Sequence, residues 1–118
     1  MSLSIACDLD AVLNALEGDR ELLSRMIQVF LKESPAVIER ARQALVARDA
    51  VALERAAHTA RGALANFGAR QACTTAHRLE ASAGLADWES AIAAQAQLEE
   101  QMHDVVRFLG AFVSGERR

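Results

Sequence analysis

The 118-residue sequence has no tyrosine and is poor in other turn and sheet residues: one proline, six glycines, four phenylalanines and one tryptophan. An all-β fold of this length would need many β-branched and aromatic residues and frequent turn residues, so it is excluded, and an α/β fold is disfavoured. About a fifth of the positions are alanine, which is the strongest helix former. The composition therefore predicts a single all-α domain.

Charge and cysteine content narrow the functional class. Thirteen basic and sixteen acidic residues give a net charge of −3 with no basic stripe, which excludes nucleic-acid binding by phosphate neutralisation. The two cysteines, Cys7 and Cys73, are too few and too scattered for a disulfide framework or a zinc motif. No apolar run approaches the roughly 18 residues that span a bilayer, and no secretory signal is present. We therefore expect a cytoplasmic protein without membrane insertion.

Five helices are predicted from caps and hydrophobic periodicity. Their expected extents are 8–18, 19–48, 49–68, 70–84 and 87–114. Pro35 lies inside the second segment and removes the hydrogen bond to the carbonyl of Leu31, so a kink or a break and restart is expected there. The short connections make sequential helices antiparallel neighbours. The architecture expected is an up-down-up-down four-helix bundle with a short extra N-terminal helix. We expect it to be one monomeric domain over 1–118, frayed at 1–7 and 115–118.

The third helix contains a histidine and a glycine outside the predicted core face. That face consists of Leu53, Ala57, Ala60, Leu64 and Phe67. At 100° per residue, His58 points about 140° and Gly62 about 180° away from its centre. A glycine within a helix costs about 1 kcal/mol of stability relative to alanine. Random drift or close helix packing would explain the presence of such a glycine. Because Gly62 faces away from the core, we interpret it as a flat surface beside His58 for a bulky partner. Arg61 lies on the same side and could pair with an anion.

The fourth helix offers a partner for His58. If the chain folds back at Gly68, positions whose numbers sum to about 138 lie at the same height, which places Glu80 level with His58. Should its flank turn toward His58, Glu80 would accept the Nδ1–H and leave Nε2 as an exposed nucleophile. The alternative is that Glu80 is an ordinary solvated charge. The rotation of the fourth helix decides between them.

The segment from Ala57 to Ala69, AHTARGALANFGA, resembles the signature of histidine-containing phosphotransfer (HPt) domains, A-H-[ST]-L-K-G-[SA]-[SA]-x-x-[LVIF]-G-A. The resemblance extends over nearly the whole chain. Three positions depart from the pattern: Arg61 replaces the usual lysine, Ala60 the common leucine, and Leu64 a small residue. None of these changes affects the histidine itself.

This resemblance implies that His58 accepts a phosphoryl group from a receiver-domain aspartate and passes it to another receiver aspartate. Arg61 would screen the phosphoryl charge, Gly62 would leave room for the receiver, and Glu80 would orient the ring. Peripheral contacts are expected from Arg55, Ala65 and His77, joined by apolar residues of the first two helices that cannot be ranked. The implied partners are response-regulator receiver domains, hybrid histidine kinases, or both. Mg²⁺ is expected on the receiver, and this chain is expected to need no cofactor.

Two other functional classes remain open. The sequence has no glycine-rich phosphate loop after a strand, so we expect neither ATP-dependent autophosphorylation nor another enzymatic activity. A metal-binding bundle is the main alternative, because Cys73, His77 and Glu80 share one helix face and His58 could lie nearby. Glu100 and His103 form a single E-x-x-H fragment, but a di-iron site needs two and further inward glutamates. A docking module without phosphotransfer is the third interpretation, against which the presence of His58 argues.

Overall fold

The computed structural model describes residues 6–116, which contain five α-helices and no strand. The helices are α1 (Leu9–Ala15), α2 (Arg20–Ala47), α3 (Ala50–Ala65), α4 (Arg70–Gly84) and α5 (Trp88–Glu116). In the bundle, α2 packs against α3 and α5, α4 packs against the same two helices, and α1 packs against α2. The bundle measures 45 × 32 × 21 Å. The predicted four-helix bundle with a short additional N-terminal helix is confirmed.

Aspartate caps determine where four helices begin. The side chains of Asp8, Asp19, Asp49 and Asp87 each accept a hydrogen bond from the amide three residues later, at 2.9–3.2 Å. The first amides of a helix have no partner within the helix, and a side-chain cap that satisfies one stabilises the helix by about 1 kcal/mol. The predicted starts therefore lie close to the observed ones, because they depend on local chemistry.

Two predicted helix ends are wrong. α1 ends at Ala15 and α3 at Ala65, three residues before Gly18 and Gly68. Both glycines have positive φ angles, +78° and +63°, so each belongs to the reversing turn that follows the helix. At Gly68 the glycine also permits a close approach, because a Cβ there would lie 3.0 Å from the Cβ of Asp8. The turn that joins α3 to α4 is thus packed against the start of the chain.

The break and restart expected at Pro35 as an alternative to a kink does not occur, because α2 is one helix from Arg20 to Ala47. The ring of Pro35 is exposed, whereas residues on both sides of it, Phe30, Val37 and Ile38, are buried. A proline within a helix costs about 3 kcal/mol. Burial of these side chains is worth roughly 1.5–3 kcal/mol each, which offsets the loss and keeps the helix continuous.

The predicted core face of α3 is confirmed. Leu53, Ala57, Ala60, Leu64 and Phe67 are each at most 2% exposed. The facing stripe of α4 is equally buried and consists of Ala72, Ala76, Leu79 and Ala83. Because five of these nine residues are alanine, α3 and α4 can pack closely together. Side chains on the flanks of the two helices therefore come within reach of each other.

Part of the two end segments that we expected to fray lies within the described residues. Residues 1–5 and 117–118 lie outside them. Cys7 is 1% exposed and belongs to the core, and α5 extends to Glu116.

No helix in the range 6–116 is long and apolar enough to cross a bilayer.

Candidate functional site

His58 projects from the middle of α3 with 67% of its side chain exposed. Its Nδ1 lies 3.0 Å from Oε2 of Glu80 on α4, whose side chain is only 19% exposed. The small core residues of the two helices set this distance, because they let the flanks of α3 and α4 meet. No residue within 6–116 forms a hydrogen bond with Nε2. The ring is thus held at one nitrogen and open at the other.

Arg61 joins His58 and Glu80 into one cluster. Its Nε lies 3.0 Å from Glu80 Oε1, an ion pair without the alignment of a hydrogen bond. Its Nη2 lies 3.1 Å from His58 Nδ1. A carboxylate can only accept and a guanidinium can only donate, so the two contacts of Nδ1 belong to opposite tautomers of the ring. When Nδ1–H donates to Glu80, Nε2 carries a free lone pair.

Gly62 lies on the exposed side of α3, one turn after His58. A Cβ at this position would meet no heavy atom within 4 Å in the described part of the chain. Close packing against a neighbouring helix therefore does not explain the glycine. What it provides is an uncovered stretch of backbone beside the exposed imidazole.

The three residues expected at the periphery are all exposed. Arg55 and Ala65 lie on α3, and His77 lies on α4. Between residues 6 and 116, none of them forms a hydrogen bond or ion pair with His58. Arg55 instead lines a separate cavity between α2 and α3.

The alternative metal site lacks a set of ligands. The thiol of Cys73 donates to the carbonyl of Arg61 at 3.6 Å, and both His77 and His103 are exposed. No group of three His, Cys, Asp or Glu side chains with metal-binding geometry occurs among residues 6–116. Burial raises the pKa of Cys73, and burial with a contribution from Cys73 raises the pKa of Cys7 to about 11. Metals bind the thiolate form, so burial makes the metal-binding form of these two thiols harder to reach.

A groove between α2 and α3 was not identified from the sequence. It encloses about 310 Å³, and its apolar lining consists of Met26, Val29, Phe30, Val37, Ala63 and Met102. Thr59, the residue after His58, forms part of its wall. Val29 is 55% exposed although it is a large apolar residue. Periodicity located the buried stripe of α2 but could not show that its flank faces an open groove.

Comparisons with family models and with solved structures each found a match. Residues 25–108, more than half of the chain, match the family model described as Hpt domain. A comparison with curated proteins found no match. The fold matches the crystal structure of histidine-containing phosphotransfer protein B (HptB) from Pseudomonas aeruginosa PAO1 with a TM-score of 0.86 and 26% sequence identity. That match covers 95% of this chain and 97% of HptB. The chain therefore belongs to the Hpt domain family, the histidine phosphotransfer domains of phosphorelays that work with receiver domains or kinases.

Proposed function

We propose that His58 is the phosphoacceptor of this Hpt domain and that Nε2 is the reacting atom. The observation that carries the proposal is the one-sided anchoring of the ring. Glu80 lies 3.0 Å from Nδ1, while the side chain remains 67% exposed. When Nδ1–H donates to Glu80, the imidazole is in the tautomer that a nucleophilic Nε2 requires.

The transfer step follows from this tautomer. The Nε2 lone pair attacks the phosphorus of an aspartyl phosphate on a receiver domain. The new N–P bond forms as the bond from phosphorus to the aspartate oxygen breaks, and the bonding electrons leave with the receiver carboxylate. The ring, still protonated at Nδ1, becomes positively charged, and the Glu80 carboxylate stabilises that charge. The reverse sequence passes the phosphoryl group to another receiver.

Arg61 and Gly62 have separate roles in this proposal. Arg61 neutralises Glu80 at rest, and its guanidinium is close enough to turn toward the phosphoryl oxygens once they arrive. Gly62 leaves the surface beside His58 uncovered, so the loops around the receiver aspartate can approach Nε2 in line with the breaking bond. Arg55, Ala65 and His77 are exposed nearby and would form the periphery of the contact.

The groove between α2 and α3 extends the proposed partner surface. Thr59 belongs to its wall and follows His58 directly, so a receiver seated on His58 would also cover the apolar residues Met26 and Val29. Exposed apolar surface of this kind is typical of a docking site. The receiver would bring the Mg²⁺ and the acidic pocket, and this chain would need no cofactor and no ATP site. We propose that it acts in this way as a cytoplasmic monomer without kinase activity of its own.

The experiment that tests the proposal uses a receiver domain phosphorylated with acetyl phosphate carrying ³²P, chosen as the fastest donor from a panel of purified receivers. The wild-type chain should gain a label that is stable to base and lost in acid, as expected for phosphohistidine. The His58→Gln variant should gain no label. Glutamine keeps the side chain polar and fits an exposed helix position, so the fold should be unchanged.

Two controls define the outcome of this labelling experiment. His103→Gln removes another exposed histidine, on α5, and should label at the wild-type rate. A circular dichroism spectrum should show the same helicity for both variants. Label that persists in His58→Gln would overturn the assignment. Wild-type protein that binds receivers without being labelled would favour the docking-module interpretation.

A further inference from the structure

Ser34 is a polar residue whose hydroxyl opens into the groove without a partner among the described residues. It lies on α2, is 5% exposed and lines the groove between α2 and α3. Its hydroxyl forms no hydrogen bond with any residue in the range 6–116. The hydroxyls of Thr74 and Thr75 on α4, by contrast, donate to the carbonyls four residues earlier at 3.0 and 3.1 Å. Ser34 has the same kind of helical position and does not use this bond.

The hydroxyl of Ser34 is not among the fully buried unpaired atoms of the described residues, because it opens into the groove. Water can pair with it there in the free protein, so a partner that displaces this water must replace its hydrogen bond. The other polar side chains of the lining are Glu33, Thr59 and Asn66, and the rest of the lining is apolar. Because Ser34 lines the cavity, a molecule that enters the groove can supply the missing partner.

The charge at the groove indicates which partner fits. Glu33, the neighbour of Ser34 in sequence, also lines the cavity, and its carboxylate can only accept hydrogen bonds. The hydroxyls of Ser34 and Thr59 and the amide of Asn66, which line the same cavity, can each accept as well as donate, so only Glu33 favours one kind of partner. The complementary group is therefore a hydrogen-bond donor at the end of an apolar side chain, such as an indole N–H, a phenol or an ammonium group.

We propose that Ser34 determines specificity in receiver docking: its hydroxyl pairs with a hydrogen-bond donor on an apolar side chain that the receiver inserts between α2 and α3. The inference rests on the proposed function, because it takes the occupant of the groove to be the receiver that reacts with His58. Receivers whose inserted side chain lacks a donor leave the hydroxyl of Ser34 unpaired and bind more weakly.

The test is the Ser34→Ala variant, measured for both stability and transfer. Its melting temperature should equal or exceed that of the wild type, because no hydrogen bond is lost and alanine has the higher helix propensity. The KM for the phosphorylated receiver should rise about 2- to 10-fold, the change that corresponds to one net hydrogen bond. The transfer rate at saturation should not change, because Ser34 does not contact His58. A residue with only a structural role would not combine these three results.

Matched variants distinguish a wrong role for Ser34 from a wrong docking site. Ser24→Ala makes the same change on α2 at a position that does not line the groove and should leave KM unchanged. Val29→Ala removes apolar surface from the groove and should raise KM whether or not Ser34 has a role. If Val29→Ala raises KM and Ser34→Ala does not, the receiver uses the groove but the role of Ser34 is overturned.

If neither variant changes KM while His58→Gln still abolishes labelling, docking occurs elsewhere and the inference fails although the proposed function stands. Label on His58→Gln would instead overturn the proposed function itself. A drop in the melting temperature of Ser34→Ala would show that the hydroxyl has a structural partner and would also overturn the inference.

Discussion

Two arginine–glutamate pairs join neighbouring helices of this bundle, and they differ in how completely they are satisfied. On one side, Arg42 of α2 donates to both carboxylate oxygens of Glu99 on α5, at 2.7 and 3.2 Å, and to Glu39 at 2.7 Å. On the other side, Arg61 of α3 is shared between Glu80 and the imidazole of His58.

In the first pair, both carboxylate oxygens of Glu99 have hydrogen-bond donors. Gln95 adds a further hydrogen bond to Glu99 at 2.8 Å, so each carboxylate oxygen of Glu99 has a charged or amide donor. The hydrogen bond from Arg42 holds the pKa of Glu99 below its usual range. This geometry suits a structural link between α2 and α5, since no member is free to react.

The second pair differs because its third member, His58, can exchange one ring tautomer for the other. His58 can donate from Nδ1 to Glu80 or accept there from Arg61, and open space above Gly62 adjoins the ring. An arginine–glutamate pair therefore does not by itself indicate function. The third residue and the space around it distinguish the reactive cluster from the structural one.

Among the variants that test this difference between the two clusters, Gly62→Leu should change the transfer rate most. The leucine side chain has room in the free protein, and helix propensity should raise the stability by about 0.5–1 kcal/mol. The added side chain would keep the receiver aspartate away from Nε2 of His58. A misplacement of about 1 Å costs on the order of 100-fold in transfer rate. Transfer kinetics and thermal unfolding together measure both effects. The control is Gly110→Leu on α5, where a Cβ also meets open space; equal rates for the two variants would deny Gly62 a steric role.

Glu80→Gln and Glu99→Gln make the same change in the two clusters. Glutamine at position 80 can donate its amide to Nδ1, which places the ring proton on Nε2 and removes the nucleophilic lone pair. We expect transfer to slow about 10-fold, as for the loss of a charge-assisted hydrogen bond. The ¹⁵N shifts of the His58 ring should report the change of tautomer. Glu99→Gln should leave both transfer and the ring shifts unchanged, and a tautomer unaffected by Glu80→Gln would contradict the orienting role.

Arg42→Ala should have the smallest effect, and its size should depend on pH. Because Arg42 lowers the pKa of folded Glu99, the unfolded chain binds more protons at acid pH. The pair therefore stabilises the fold fully above the usual glutamate pKa and loses this contribution as the pH falls below it. Both side chains are partly exposed, at 50% and 31%, so solvent screening should make the loss at pH 7 small. Urea unfolding should show this difference at neutral pH. It should shrink as the pH falls through the folded pKa of Glu99, and a difference that is constant with pH would show that the ion pair contributes nothing.

Local sequence patterns predict the helices of this molecule well and the contacts between helices less well. The aspartate caps and the 3–4 spacing predict the helix starts and the core face of α3 because both depend on residues within a turn or two. The helix ends at Gly18 and Gly68 were placed too late, since periodicity continues into the turn. At Pro35 a local rule predicts a kink or a break, and burial of the residues around it keeps α2 continuous.

The sequence by itself determined that this protein is a helical bundle with an exposed histidine beside a bare stretch of helix. Helical periodicity places His58 and Gly62 outside the core without reference to any other helix. Only the tertiary structure decided that Glu80 meets His58, that Arg42 meets Glu99, and that Ser34 opens into a groove. Two residues can lie at equal height on neighbouring helices whichever way each helix is rotated about its own axis. The packing of small alanine side chains between α3 and α4 sets that rotation.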